Sequence, residues 1–184
     1  MRTRLRIALS LLALAAAVIP SASAAVVSAA AAHPRSVKAR KSSTLASQVV
    51  AELNATRAEN GLEPLRSSPA LAVAAALHSR EMAEHGYFAH RSPDGSAFSK
   101  RVARYYSSRG VRVWSVGENL LWSSPSIDAQ NAIRMWLNSP GHRRNMLNPQ
   151  WRDVGISALH VTAAPGFYRG LEVTIVTADF GVRG

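Results

Sequence analysis

The clearest pattern along the chain is apolar residues recurring at spacings of three and four, which predicts three amphipathic helices. We expect them over residues 44–60, 69–85 and 127–139. Their buried stripes are predicted to be Leu45, Val49 and Leu53; Leu71, Ala75, His78 and Met82; and Ala129, Ala132, Ile133, Trp136 and Leu137. A shorter helix is expected within residues 96–108.

Polar and breaking residues indicate where these helices begin and end. A hydroxyl residue can cap each N-terminus, at Thr44, at Ser67 or Ser68, and at Ser126. The Pro140-Gly141 pair is expected to break the third helix, and residues 145–149 are expected to form a turn.

Three further segments, residues 111–121, 154–161 and 171–180, have the composition of β-strands. Gly166 lies between the last two, which predicts that they pair antiparallel. Because the chain lacks a repeated βαβ order, the pattern favours an α+β fold, with helices packed on an antiparallel sheet.

The first 24 residues have the pattern of a secretory signal peptide. Three arginines precede an apolar run over residues 7–19, and small residues follow up to Ala24, after which cleavage is expected. The alternative is a membrane anchor, but the run has about 13 residues and a spanning helix needs about 20. The sequence therefore predicts a secreted protein whose mature form has no transmembrane segment.

The charge of the chain is unevenly distributed. The 184 residues carry a formal net charge of +11, with 22 Lys and Arg against 11 Asp and Glu. Three of the basic residues lie in the predicted signal peptide and four in residues 25–43, an Ala- and Ser-rich segment predicted to be a disordered linker. Residues 44–184 keep a charge of only +4, with scattered arginines, which argues against nucleic acid as a partner. The basic linker either contacts an anionic envelope polymer or lipid headgroup, or only keeps the chain soluble.

The chain has no cysteine, which excludes disulfides, thiolate metal sites and a cysteine nucleophile. Histidines and glutamates form two candidate groups instead. In the first, His78, Glu81 and His85 share one face of the second helix and could contact one metal ion. The favoured alternative is that His78, which lies on the apolar stripe, is a hydrogen-bonded core residue.

The second group is His90, Glu118 and His142, each predicted to lie where a helix or strand ends. A scaffold can present such residues to a cleft, and two histidines with one glutamate can hold Zn²⁺ or another divalent metal and leave one position open. Glu118 is also the candidate catalytic residue of such a centre. The alternative is that the three are separate structural residues, because their spacing alone does not bring them together.

The aromatic residues are predicted to be mostly structural. Trp136 and Phe180 are expected in the core. Phe98, Tyr105 and Tyr106 either border a groove for a lipid or fill the core.

Six short segments occur in an order that is specific when taken together: Leu53-Asn54-Ala55-Thr56-Arg57, His78-Ser79-Arg80-Glu81-Met82-Ala83, Tyr87-Phe88-Ala89-His90-Arg91-Ser92-Pro93-Asp94-Gly95, Gly117-Glu118-Asn119-Leu120, Trp136-Leu137-Asn138-Ser139-Pro140-Gly141-His142-Arg143-Arg144-Asn145-Met146-Leu147 and Val154-Gly155-Ile156. In these segments residues 44–184 resemble the CAP superfamily (the SCP domain of cysteine-rich secretory proteins, antigen 5 and pathogenesis-related proteins). Because it has no cysteine, the chain resembles the bacterial, cysteine-free branch of this superfamily.

The resemblance implies an α-β-α sandwich in which His90, Glu118 and His142 converge in a central cavity that can bind a divalent metal, often zinc. Where eukaryotic members have a second glutamate, this chain has Ser139, which lowers the negative charge of the cavity. The expected function is therefore a secreted, non-catalytic binding module for a small hydrophobic or lipid ligand, an envelope component or a protein partner. The alternative is a metal-dependent hydrolase, a peptidase or an esterase.

Overall fold

The computed structural model describes residues 38–184, so the predicted signal peptide and residues 25–37 of the predicted linker lie outside the described residues. Within this range the helices are α1 (Ser43–Glu59), α2 (Pro69–His85), α3 (Phe98–Ala103), α4 (Ala129–Leu137) and α5 (Pro140–Met146). The strands are β1 (Lys38–Lys41), β2 (Arg66–Ser67), β3 (Trp114–Ser123), β4 (Asp153–Ala164) and β5 (Leu171–Arg183). None of the helices in this range is long and apolar enough to cross a membrane.

The strands form one sheet in the order β1-β4-β5-β3, with β2 beside β4. β4 and β5 form a long antiparallel hairpin, and β3 pairs antiparallel with β5 along its whole length. The two-residue strand β2 pairs with β4 in parallel. The predicted α+β class with an antiparallel sheet is confirmed, and β2 is a short parallel addition to it.

Helices cover both faces of the sheet. α1 and α4 pack on one face, where Trp136 and Phe180 are buried in the largest apolar cluster, as predicted. α2 covers the other face, where Met82 packs with Leu120 and Ile175. The result is the expected α-β-α sandwich, in which side chains near the middle of β3 and β5 are shielded from water.

Glycine at position 155 allows α2 to lie directly on the sheet. A Cβ atom on Gly155 would lie 2.0 Å from the backbone nitrogen of Ala72 and 2.2 Å from the carbonyl carbon of Leu71. Gly155 is also the residue opposite Asp179 in the pairing of β4 with β5. The close contact with α2 therefore covers the sheet beside Asp179.

The predicted linker is wrong at its C-terminal end. Lys38–Lys41 form β1, which pairs antiparallel with β4, and Ser42 rather than Thr44 caps α1 by accepting a hydrogen bond from the Leu45 amide at 3.3 Å. The exposed residues of β1 give no apolar signal because it is an edge strand, where charged side chains are common.

The segment after α4 also differs from its prediction. Pro140 and Gly141 begin a new helix, α5, which continues to Met146 into the region predicted as a turn. Proline suits the first position of a helix because its missing N–H needs no partner there. α4 is capped by Asp128, which accepts a hydrogen bond from the Asn131 amide at 2.8 Å, rather than by Ser126.

The two tyrosines beyond α3 lie in different environments. The Tyr106 side chain is fully buried and donates a 2.6 Å hydrogen bond to Asp153, whereas Tyr105 is exposed. Tyr106 therefore follows the alternative that placed it in the core. Phe98 is half-buried and lines the cavity described next.

Candidate functional site

A cavity of about 520 Å³ brings together the three residues that the sequence singled out. It opens between the middle of β3, the loop after α2 and helix α5. Its lining residues are His90, Phe98, Gly117, Glu118, Asn119, Ser139, Gly141, His142, Arg144, Asn145 and Asn148. His90, Glu118 and His142 thus share one cavity, and most of the other lining residues are polar.

Glu118 is buried at the floor of the cavity and is held by two partners. His90 donates a 2.8 Å hydrogen bond from Nδ1 to Glu118 Oε1, and the Arg101 guanidinium forms an ion pair with Glu118 Oε2. The His90 side chain itself is 50% exposed. Glu118 therefore fixes the orientation of an imidazole that faces solvent, which is how a carboxylate commonly positions a functional histidine.

Arg101 is a site residue that the sequence analysis missed. It lies on the short helix α3, is buried, and also donates hydrogen bonds to the Ser92 hydroxyl at 3.0 Å and to the His90 carbonyl at 3.4 Å. It therefore connects the loop that carries His90 to the floor of the cavity. In the sequence it stands in a basic segment with Lys100 and Arg104, where nothing distinguishes it from a solvated charge.

Asp179 is the second missed residue. It is opposite Glu118 in the pairing of β3 with β5, is completely buried, and has no hydrogen-bond partner for either oxygen among residues 38–184. Burial raises the pKa of Asp179 well above its ordinary value, and the neighbouring Glu118 carboxylate raises it further against the opposing effect of Arg101. An acid between Ala178 and Phe180 in an apolar strand was the available sequence signal.

This arrangement predicts that Asp179→Asn becomes progressively more stable than the wild type as the pH rises. In the unfolded protein Asp179 has a pKa of about 3.9. Because the folded pKa is higher, the folded protein binds the extra proton between the two values, and its free energy of unfolding falls with rising pH. Asparagine resembles the protonated acid and does not titrate. The difference should grow by up to about 1.4 kcal/mol for each pH unit in that interval.

Urea unfolding of both proteins across this pH range measures the difference. Asp128→Asn is the matched control, because hydrogen bonds from Asn131 lower the pKa of Asp128, so its contribution to stability changes only below about pH 3.9 and is constant across this range. Parallel stability curves for the wild type and Asp179→Asn would contradict the placement of Asp179.

His142 is positioned by a chain of amides between β3 and α5. Asn119 donates to the His142 carbonyl at 3.1 Å, Asn145 donates to Asn119 Oδ1 at 2.9 Å, and Trp151 donates to the Asn145 carbonyl at 2.9 Å. A Cβ atom on Gly117 would lie 2.4 Å from Asn145 Oδ1, so glycine leaves room for this chain. Burial, together with the nearby His90, lowers the pKa of His142, which keeps its imidazole neutral at neutral pH.

Two imidazoles, those of His90 and His142, line the cavity and are ligand types that suit a divalent metal, but the third predicted ligand, Glu118, is engaged elsewhere. Both oxygens of Glu118 are bound, by His90 and by Arg101. Residues 38–184 contain no group of three or more His, Cys, Asp or Glu side chains arranged to hold a metal ion. Catalytic zinc centres use three protein ligands, so the donor set in this arrangement is one short.

The other candidate group, on α2, has a structural role. His78 is fully buried, its Nε2 donates to the Ala89 carbonyl at 2.9 Å, and burial lowers its pKa. His85 is exposed at the end of the helix. The favoured alternative, a hydrogen-bonded core histidine, is therefore confirmed for His78, which supports the loop leading to His90.

Comparisons with known proteins agree with this fold. The model of the cysteine-rich secretory protein family, CAP, matches residues 50–180. The uncharacterized protein YkwD of Bacillus subtilis is 33% identical over 115 residues, which are 62% of this chain and 42% of that protein. The uncharacterized membrane protein YlbC of the same organism is 29% identical over 67% of this chain and 35% of its own length. The chain therefore spans less than half the length of these curated relatives.

Two solved structures have a similar fold. An outer surface protein of Borrelia burgdorferi superposes with a TM-score of 0.63 at 19% identity, over 80% of this chain and 100% of its own. An extracellular, SCP-domain-containing protein of Bacillus anthracis superposes with a TM-score of 0.54 at 28% identity, over 72% of this chain and 40% of its own. With the family match extending across both sides of the cavity, the chain belongs to the CAP family of cysteine-rich secretory proteins.

Proposed function

We propose that this CAP domain is a binding module that works outside the cytoplasm and holds a polar group of a cell-envelope component in its central cavity. The observation that carries the proposal is the arrangement of Glu118. Its two oxygens hold His90 and Arg101, so it presents an imidazole to a ligand and is not free to act as a base.

The character of the cavity supports a polar rather than a lipid ligand. Most of its lining residues carry amide, imidazole, hydroxyl, carboxylate or guanidinium groups, and among the described residues Phe98 is the one large apolar side chain in it. Sites for lipids and drug-like molecules are predominantly apolar. A separate groove of about 380 Å³ between α1 and α2 is more apolar, and it suits a hydrophobic ligand better than the cavity does.

The proposed location rests on the N-terminal sequence and on two similar proteins. Residues 1–24 have the pattern of an export signal. The similar Bacillus anthracis protein is described as extracellular, and the Borrelia burgdorferi protein as an outer surface protein.

Isothermal titration with a soluble muramidase digest of bacterial cell wall tests the proposal. We expect the wild type to bind the digest and His142→Ala to weaken that binding at least about tenfold, the loss of one or two buried hydrogen bonds. His85→Ala is the matched control, because His85 is exposed on α2 and does not line the cavity. Binding of extracted lipid but not of the digest, or equal effects of the two variants, would contradict the proposal.

A metal-dependent hydrolase is the second candidate, favoured by one observation: Glu118 orients the His90 imidazole by accepting a hydrogen bond from its Nδ1. A histidine that donates one ring N–H to a carboxylate and keeps the other nitrogen free is the common arrangement of a metal ligand. This candidate predicts Zn²⁺ binding that His90→Ala and His142→Ala each abolish. Calorimetry that detects no Zn²⁺ binding by the wild type would remove it.

A further inference from the structure

The hydrogen-bond acceptors around the cavity are already used within the protein. Glu118 accepts from His90 and Arg101, and Asn119 Oδ1 accepts from Asn145. Asn145 Oδ1 accepts from the Trp151 indole at 3.2 Å, and Asn148 Oδ1 accepts from the Gln150 amide at 2.9 Å. A ligand that donates hydrogen bonds therefore finds few of these oxygens free to accept them.

Several donors, by contrast, remain available. Among residues 38–184, the Arg144 guanidinium forms no salt bridge, although it lines the cavity. In the same range, the Asn148 amide nitrogen and the Ser139 hydroxyl form no hydrogen bond within the protein. These groups can donate to a ligand, and a guanidinium matches the paired oxygens of a carboxylate or phosphate.

The charges around the cavity also favour an anionic ligand. Within the described part of the chain, Glu118 is the one acid that lines it, and the adjacent Arg101 offsets its charge. Asp179 is completely buried, does not line the cavity, and has a raised pKa that favours its uncharged form. Arg144 therefore contributes a positive charge that no acid of the cavity lining cancels.

We propose that the cavity selects an anionic oxygen group, a carboxylate or a phosphate, through Arg144, Asn148 and Ser139. This inference rests on the proposed binding function and specifies the ligand group that the cavity accepts. An envelope peptide with a free carboxylate and an envelope polymer with phosphates both present such a group.

Nuclear magnetic resonance titrations with sodium acetate and with sodium phosphate, at constant ionic strength held with sodium chloride, test the proposal. We expect at least one anion to shift the side-chain amide signals of Asn148 while leaving those of distant Gln48 unchanged. A response to acetate alone indicates carboxylate recognition, and a response to phosphate alone indicates phosphate recognition.

Two adjacent arginines on α5 provide a matched pair of variants. Arg144→Gln should weaken binding of the responding anion about tenfold, the value of one charge-assisted hydrogen bond pair. Arg143→Gln removes the same charge from an exposed residue outside the cavity and should change the affinity less than about twofold. Ser139→Glu, which adds a negative charge to the lining, should abolish the response.

Three results would overturn the inference: no response to either anion, equal effects of Arg143→Gln and Arg144→Gln, or a response to ZnCl2 without one to the anions. If the cell-wall digest still binds in a manner that needs His142, the binding function stands and only the anionic ligand class is wrong. If neither the digest nor the anions bind, both proposals fail.

Discussion

Replacing Arg101 with methionine should destabilise the protein by about 3–5 kcal/mol at pH 8, the usual cost of leaving a buried charge without its partner. Arg101 is the cation beside two buried acids, Glu118 and Asp179. At pH 5 the loss of stability should be smaller. The raised pKa of Asp179 favours its protonated form at lower pH, and a protonated acid no longer needs a cation beside it. Urea unfolding at both pH values measures the difference.

Lys100→Met is the control, since Lys100 is the exposed neighbour of Arg101 on the same helix. It removes the same charge and should change the free energy of unfolding by less than about 0.5 kcal/mol. If both variants lose the same stability, or if the loss from Arg101→Met does not depend on pH, then Arg101 does not neutralise the floor of the cavity.

Replacing Arg57 with methionine should lower the free energy of unfolding by about 3–5 kcal/mol at neutral pH, largely because buried carbonyl groups lose their hydrogen-bond donor. Arg57 is completely buried, and its guanidinium donates to the Met146 carbonyl at 2.7 Å, the Glu63 carbonyl at 3.0 Å and the Asn148 carbonyl at 3.1 Å. These bonds attach the end of α5, which carries His142, to α1. Denaturant unfolding gives the loss, and amide hydrogen exchange should show faster exchange in α5.

Arg80→Met is the matched control for this variant, because Arg80 is exposed on α2. Arg57→Lys should recover little, since an ammonium lacks the planar fork that reaches several carbonyls at once. A stability of Arg57→Met close to that of the control would show that these three hydrogen bonds do not hold α5 in place.

The fold was largely predictable, because its main helices and strands have regular apolar patterns. The stripe of α2 and the hairpin of β4 and β5 follow directly from residue spacing and turn signals. β1 could not be found in this way, since an exposed edge strand of basic residues resembles a linker. α5 was missed because Pro140-Gly141 can either end one helix or begin the next.

The site was predictable only in part. His90, Glu118 and His142 stand out as polar residues beside turn or break signals, and they do line one cavity. Their predicted place at the ends of elements is wrong for Glu118, which is buried in the middle of β3, and for His142, which lies within α5. The residues beneath them were missed for different reasons. Arg101 lies among other basic residues, and the importance of Asp179 depends on its register opposite Glu118, which requires the strand pairing.

The cavity that contains His90 and His142 is the proposed binding site. Mapping the backbone and imidazole signals of labelled protein by nuclear magnetic resonance, during titration with the cell-wall digest, tests this most directly. We predict that the signals that shift belong to His90, Asn119, His142 and Asn145. Shifts confined to the apolar groove beside Ala46, Val73 and Ile156, or no shifts at all, would contradict it.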